Sequence, residues 1–310
     1  MYPSPTTRGL NLELETLQQD GTEWKFGALS PKCIFAVPLT ERVKYLPKGE
    51  TQFGAEDFMD CVTRGYLNGA ETKFTFADQR GLMKPENRIW GRQKGYATEA
   101  GVWTFSDRFT AIKSNTTRSG NSMKAPADAI YRYGLIPKKL LPKVDEMTFD
   151  EYHDKTQITT EMEDLGLAFK ARFPLNYEQV YLSDIQKTLT MDGTNLAGNA
   201  WPKPVDGVYP KTDGIINHAF WGFDPAIDIF DNYEDYNSDT GMLQGGDFIK
   251  RLAKDYNFYT YGYRLYVSAE NVVDDTVLTV WQILSKYGLT SFFADWYIRF
   301  QKTLKGVLKL

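Results

Sequence analysis

Only two imidazoles, His153 and His218, stand in the 310 residues, so any reaction that needs a base near neutral pH has two places to be. His153 lies in Glu151-Tyr152-His153-Asp154, a polar neighbourhood that reads as surface. His218 heads an apolar run after Gly214-Ile215-Ile216-Asn217, and the next apolar run ends in Ile229-Phe230-Asp231-Asn232-Tyr233. A hairpin of that length can bring the Asp231 carboxylate beside the imidazole, fixing its tautomer and stabilising the imidazolium. A base with an orienter needs a nucleophile. Cys61, near a helix start, is the candidate, because a helix N-terminus and a neighbouring imidazolium both favour thiolate. Each residue has a plainer alternative: His218 as a hydrogen-bonded sheet residue, Cys61 as a small buried apolar side chain. Cys33 is the poorer nucleophile, since no helix start follows its short apolar run.

The elements that must position these groups follow from periodicity. Phe58, Cys61, Val62, Gly65, Tyr66 and Gly69 recur at spacings of three and four, which predicts a helix from near Glu56 with Cys61 in its first or second turn. Further helical stretches are expected at Asp107 to Ile112, at Pro126 to Tyr133 with Gly134 as its cap, and within Met147 to Phe173, where Met162, Leu165, Phe169 and Phe173 form a stripe. After Gly198 the texture is that of strands. Gly214 to Phe223 and Ala226 to Phe230 flank the turn residues Asp224-Pro225, and Phe258 to Val267 reads as another strand. Helices first and antiparallel strands later is an α+β order.

Residues 1–44 are irregular, with a short strand expected at Cys33 to Val37. Residues 45–270 make the main domain, its helical half at about 45–175 and its strand half at about 205–270. The last part, 271–310, is a helical appendage. In it Phe292, Phe293, Trp296, Ile298, Phe300, Leu304, Val307 and Leu308 alternate with Arg299, Lys302, Lys305 and Lys309, a basic amphipathic pattern. Packing on its own domain, docking to a partner subunit through 291–310 and membrane-surface contact, the last a minor option, are all open to such a helix.

Lys and Arg total 36 against 40 for Asp and Glu, a net charge of -4 that gives no electrostatic footprint for nucleic acid. Two cysteines, Cys33 and Cys61, are too few for a disulfide framework and lack zinc-site spacing, so neither metal nor cofactor is expected. The start of the chain does not read as a signal peptide and no apolar run is long enough to span a bilayer, so a soluble protein is expected, its compartment unassigned.

Gln52, then Cys61 on a helix, then Gly120-Asn121-Ser122 leading into Pro126 to Pro137, then Asn217-His218-Ala219, Phe230-Asp231-Asn232-Tyr233-Glu234 and Tyr261-Gly262-Tyr263-Arg264-Leu265 share the order of papain-like cysteine peptidases. The chain resembles that family from roughly Tyr45 to Val267. The resemblance implies a nucleophile helix packed on a C-terminal antiparallel sheet or barrel, with Gln52 as oxyanion donor, Cys61 as nucleophile, His218 as base and Asp231 as orienter. A one-residue shift would make Asn232 the orienter. It also implies a peptide or protein substrate and amide-bond hydrolysis. Tyr45-Leu46-Pro47, Met59-Asp60-Cys61-Val62 and Ile229 to Glu234 look like a divergent subgroup encoded in phage and uncultured bacterial genomes, which implies a virion or tail setting.

Departures from the family pattern support an alternative, an inactive scaffold that binds other subunits, such as phage structural proteins. Gln52 stands nine positions before Cys61, farther than the family spacing. Asp60 places a carboxylate next to the nucleophile, where it would oppose thiolate formation. Residues 1–44 also lack the long amphipathic helices of an inhibitory pro-region.

Overall fold

The computed structural model describes residues 9–17, 34–199, 205–211, 214–232, 235–237, 242–244 and 248–274. Cys33 and the segment 291–310, where an amphipathic helix is expected, lie outside them. Helices α1 (Leu12–Leu17), α2 (Leu39–Arg42), α3 (Cys61–Gln79), α4 (Pro85–Lys94), α5 (Asp107–Lys113), α6 (Lys124–Tyr133), α7 (Phe149–Tyr152) and α8 (Thr160–Arg172) come before any strand. Then follow β1 (Leu175–Tyr181), α9 (Ile185–Met191), β2 (Thr194–Gly198), β3 (Val208–Tyr209), β4 (His218–Gly222), β5 (Asp228–Phe230), β6 (Asp235–Asn237), β7 (Met242–Gln244), β8 (Ile249–Leu252), β9 (Tyr261–Val267) and α10 (Ala269–Val272).

Seven strands form one mixed sheet in the order β1-β9-β2-β4-β5-β8-β3, antiparallel except for the parallel β3–β8 pair, while β6 and β7 pair separately. Two of its strands, β1 and β2, precede the 205–270 stretch in which strands were expected. Both are buried along most of their length, so they lack the clean alternation of a half-exposed strand.

The helix that carries Cys61 starts at Cys61 itself, not near Glu56. The Asp57 carboxylate accepts the Met59 N–H at 2.8 Å, and Met59 takes φ 55°, a left-handed conformation that no helix can pass through. The chain enters α3 only after that break. Elsewhere the helix ends obey local rules. Thr159 caps α8, Thr148 and Glu151 form a capping box on α7, and Gly134 at φ 70° closes α6.

Helix α3 packs against β4, β2 and β9 and against α5 and α6, and every residue from Cys61 to Asp78 is buried. Close docking on the sheet requires small residues: a Cβ on Gly65 would stand 2.1 Å from Asn195 Oδ1. A helix buried on all sides must also pair its own polar groups. Arg64 meets Asp60 and Asp107, Lys73 meets Asp192 and the Leu265 carbonyl, and Asp78 accepts from Arg92 and from the Trp103 indole. Around its C-terminal half Phe74, Trp103, Phe105, Phe169 and Phe173 pack edge to face in one core.

Two further buried polar side chains, Arg42 and Glu71, hold the parts together. Arg42 donates to the carbonyls of Val37, Leu189, Phe223 and Thr190 and so ties α2 to α9 and to the end of β4. Glu71 accepts the Phe105 N–H at 2.8 Å, and burial pushes its carboxyl up to about 8, outweighing that hydrogen bond and Lys138. The folded state therefore holds a proton that the unfolded chain releases near the ordinary value of 4.5, and stability falls as pH rises through that window to about 8. Glu71→Gln keeps an acceptor for Phe105. Its urea midpoint should lose less than the wild type's between pH 5 and pH 8, and equal losses would show that Glu71 does not govern this dependence.

Candidate functional site

Cys61 is the first residue of α3, and the Ala219 backbone N–H at the start of β4 hydrogen-bonds its sulfur. The nucleophile candidate thus abuts the residue after His218. His218 in turn donates Nε2–H to Asp231 Oδ1 at 2.8 Å, and neither side chain has any exposure. The β4–β5 hairpin sets this distance. Trp221 pairs with Phe230 across it, Asp224 makes the turn by accepting the Ala226 N–H on its carboxylate, and Asp231 follows the last paired residue. With Nε2 committed to Asp231, Nδ1 is the ring nitrogen that can take a proton from a nucleophile.

Asn232 is held in a different role. Its Oδ1 accepts from Asn68 Nδ2 of α3 at 2.9 Å, its Nδ2 donates to the Glu50 carbonyl, and its own carbonyl accepts the Gln52 N–H. It fastens the Gln52 loop to the helix and the sheet, while Asp231 takes the imidazole. Gln52 is fully buried, and its Nε2 donates to Asp57 Oδ1 at 2.7 Å. Asp57 therefore braces both the Gln52 amide and the strained Met59 backbone.

The expected effect of Asp60 has the expected direction but a smaller rank. Burial is the largest cause pushing the Cys61 thiol well up. The Ala219 N–H opposes it, and Asp57, Asp60 and Asp231 add to it. Asp60 itself is matched by Arg64 Nε, 2.9 Å from both carboxylate oxygens, and by the Tyr152 hydroxyl. His153 is not at the surface: it is half-buried, donates Nε2–H to the Phe58 carbonyl at 2.9 Å, and burial lowers its affinity for a proton. It supports the loop before Cys61 through that carbonyl.

Residues 9–11 lie directly against Cys61 and add to its burial. The Leu10 N–H donates to the Asn217 carbonyl at 3.1 Å, the Asn121 N–H donates to the Gly9 carbonyl, and the Asn11 N–H donates to the Asn121 carbonyl, the last two at 2.8 Å. Leu10 and Asn121 thus form a parallel bridge over the nucleophile, between α6's approach loop and β4. A Cβ on Gly9 would stand 2.9 Å from Cys61 Sγ, so only glycine lets the strap lie this low. Leu10 is buried in the same apolar cluster as Met123, Ala127 and Tyr263. Asn11 then caps α1, its Oδ1 accepting the N–H groups of Glu13 and Leu14.

Sequence reasoning missed the strap, Asp57 and Lys250. Lys250 Nζ lies 2.8 Å from Asp231 Oδ2. Its only signal is its position two residues before the core residue Leu252 on one strand, hence on the same inward face. No group of residues with metal-ligand geometry occurs among the described residues, and no helix among them is long and apolar enough to cross a membrane.

No protein-family model matches the chain, and no curated protein matches it in sequence. Among solved structures it is similar to xylellain, a cysteine protease from Xylella fastidiosa, with 11% identity and a TM-score of 0.46 over 81% of this chain and 92% of that one. It is also similar to the Carica candamarcensis cysteine protease CMS1MS2, with 10% identity and a TM-score of 0.43 over 76% and 98%. A third is digestive procathepsin L 3 of Tenebrio molitor, at 12% identity and a TM-score of 0.43 over 85% and 76%. These neighbours are papain-like cysteine proteases, and none bears on a phage setting. The reading of this chain's site rests on its own geometry.

If the strap is what buries the thiol, Leu10→Asp should expel it, because a carboxylate cannot occupy an apolar pocket without a partner. Alkylation of Cys61 by iodoacetamide at pH 7 should then speed up roughly 10-fold or more, the scale set by the apolar burial of one leucine. An unchanged rate would mean that residues 9–11 do not gate access.

Proposed function

We propose that this chain is a papain-like cysteine peptidase whose site is closed by its own residues 9–11. The observation that carries this reading is the Cys61–Ala219 and His218–Asp231 pair of contacts. It sets a helix-terminal thiol beside the residue that follows His218, and the His218 imidazole on a buried carboxylate.

In the open state Cys61 Sγ attacks a peptide carbonyl as its proton passes to His218 Nδ1. The resulting oxyanion collapses to a thioester while His218 returns the proton to the leaving amine. Water, deprotonated by the same imidazole, then releases the acid. The Cys61 backbone N–H and the Gln52 amide serve the oxyanion. Gln52 Nε2 donates to Asp57, which orients the amide. Asp231 keeps the ring in place through Nε2.

The substrate is an extended peptide. The groups that hold the strap, Asn217 carbonyl and both backbone polar groups of Asn121, are those that a bound chain would use in its place. Uncovering also activates: since burial is the largest cause of the thiol's raised proton affinity, water that enters when residues 9–11 leave favours the thiolate.

A second reading, a scaffold that binds partner subunits without cutting them, is favoured by one observation: Cys61 has no exposure and its neighbours Asp57 and Asp60 oppose thiolate. The two readings separate on the Leu10→Asp protein. The peptidase reading expects cleavage of an unfolded protein such as casein, abolished by Cys61→Ala and reduced about 10²- to 10⁴-fold in kcat/KM by His218→Ala. An exposed Cys61 that alkylates like an ordinary thiol, with no cleavage, establishes the scaffold instead.

A further inference from the structure

Asp231 turns one carboxylate oxygen to His218 Nε2 and the other to Lys250 Nζ, each at 2.8 Å. Lys250 is 3% exposed. An ammonium is taken out of water only at a large desolvation cost, so a sealed lysine aimed at a sealed carboxylate is a built feature and not a surface ion pair. The sheet makes it. Strand β8 pairs with β5 so that Lys250 lies opposite Ile229, and the Asp231 N–H donates to the Phe248 carbonyl. Asp231 and Lys250 are therefore diagonal neighbours on one face.

We propose that Lys250 is a positioning residue of the Cys61–His218–Asp231 site, balancing the charge of Asp231 so that the two together give His218 a neutral hydrogen-bond acceptor, as a single amide would. The catalytic consequence rests on the peptidase reading, whereas the charge balance does not.

With the thiol and the imidazole both neutral, the Asp231 carboxylate and the Lys250 ammonium sum to zero. Moving the Cys61 proton to His218 Nδ1 breaks S–H, forms N–H and leaves the sum at zero. Without Lys250 the resting site carries one buried negative charge and draws a proton from solvent onto the His218–Asp231 unit. His218 then no longer serves as a base. The other groups facing the site cannot replace Lys250. Asp57 and Asp60 approach Cys61 from the preceding loop with negative charge, and Tyr256 faces Asp231 from the segment between β8 and β9. Arg64 is occupied by Asp60 and Asp107.

The chain's two histidines make the test direct. With carbon-labelled histidine, the ring signals of the full-length protein are titrated by NMR, His218→Ala identifying the His218 signal. In Lys250→Met the His218 midpoint should rise by about one pH unit or more, the scale of removing an opposite charge from the partner carboxylate. Lys250→Arg should stay close to the wild type, as should the double variant Asp231→Asn with Lys250→Met, which restores neutrality with an amide, and His153 should not move in any of them. An unshifted His218 in Lys250→Met overturns the proposal. Should that variant not fold, Asp231→Asn alone, with a surplus cation, must titrate below the double variant, and equal midpoints overturn the proposal in the same way. Absence of peptidase activity in the opened protein would sink the catalytic reading without altering these midpoints, so the two failures are distinguishable.

Discussion

A carboxylate with no access to water survives ionised only if both of its oxygens are paired, and Asp231 sets that condition for this molecule. Burial alone would push its carboxyl up, yet Lys250 and His218 together hold it below the ordinary range. Losing one partner of such a buried group typically costs about 3–5 kcal/mol, a large part of any domain's stability. The partners come from two different strands flanking the one that ends at Asp231. The pairing of β4 with β5 and of β5 with β8 is thus fixed by charge as well as by the hydrophobic pattern. A slip of one residue in either pair would turn a charged group to the wrong face.

The same reasoning extends from the sheet to the helix. Asn232, next to Asp231, binds Asn68 on α3 and the Glu50 and Gln52 backbone, so the end of the hairpin, the loop before Cys61 and the helix that Cys61 begins are one hydrogen-bonded unit. Asp57 adds the Gln52 amide and the Met59 turn to that unit. Polar groups this deep rigidify a site when each is satisfied, which is the condition for holding a thiol and an imidazole at a working distance.

How much of this was legible in the sequence depends on how local the determinant is. The α6 helix and its Gly134 cap, the turn at Asp224 and the strand ending at Val267 follow from short-range rules and are found within a few residues of where periodicity places them. The pairing of His218 with Asp231 was legible too, because they stand only thirteen positions apart across one hairpin. The start of α3 was not. Its signal is a left-handed Met59, a residue type that gives no hint of positive φ. Lys250 was invisible for another reason: a lysine in a polar stretch is normally solvated, and only the register of β8 on β5 shows that it points inward.

The strap shows the limit of such reading most clearly, and it also links access to reactivity. Residues 9–11 carry no helix and no conspicuous motif, so nothing in their types says that they cross the site. Their three backbone hydrogen bonds to Asn121 and Asn217 and one buried leucine hold them there. Net backbone hydrogen bonds are worth about 1 kcal/mol each and a buried leucine about 2–3, a hold strong enough to keep the site closed and weak enough to be displaced by a competing chain. Residues 9–11 lie against Cys61 Sγ, so a chain that displaced them would bring water to the thiol in the same event. Burial is the largest cause of the thiol's raised proton affinity, so access and reactivity would change together, with the β4–β5 pairing that holds His218 and Asp231 left as it is.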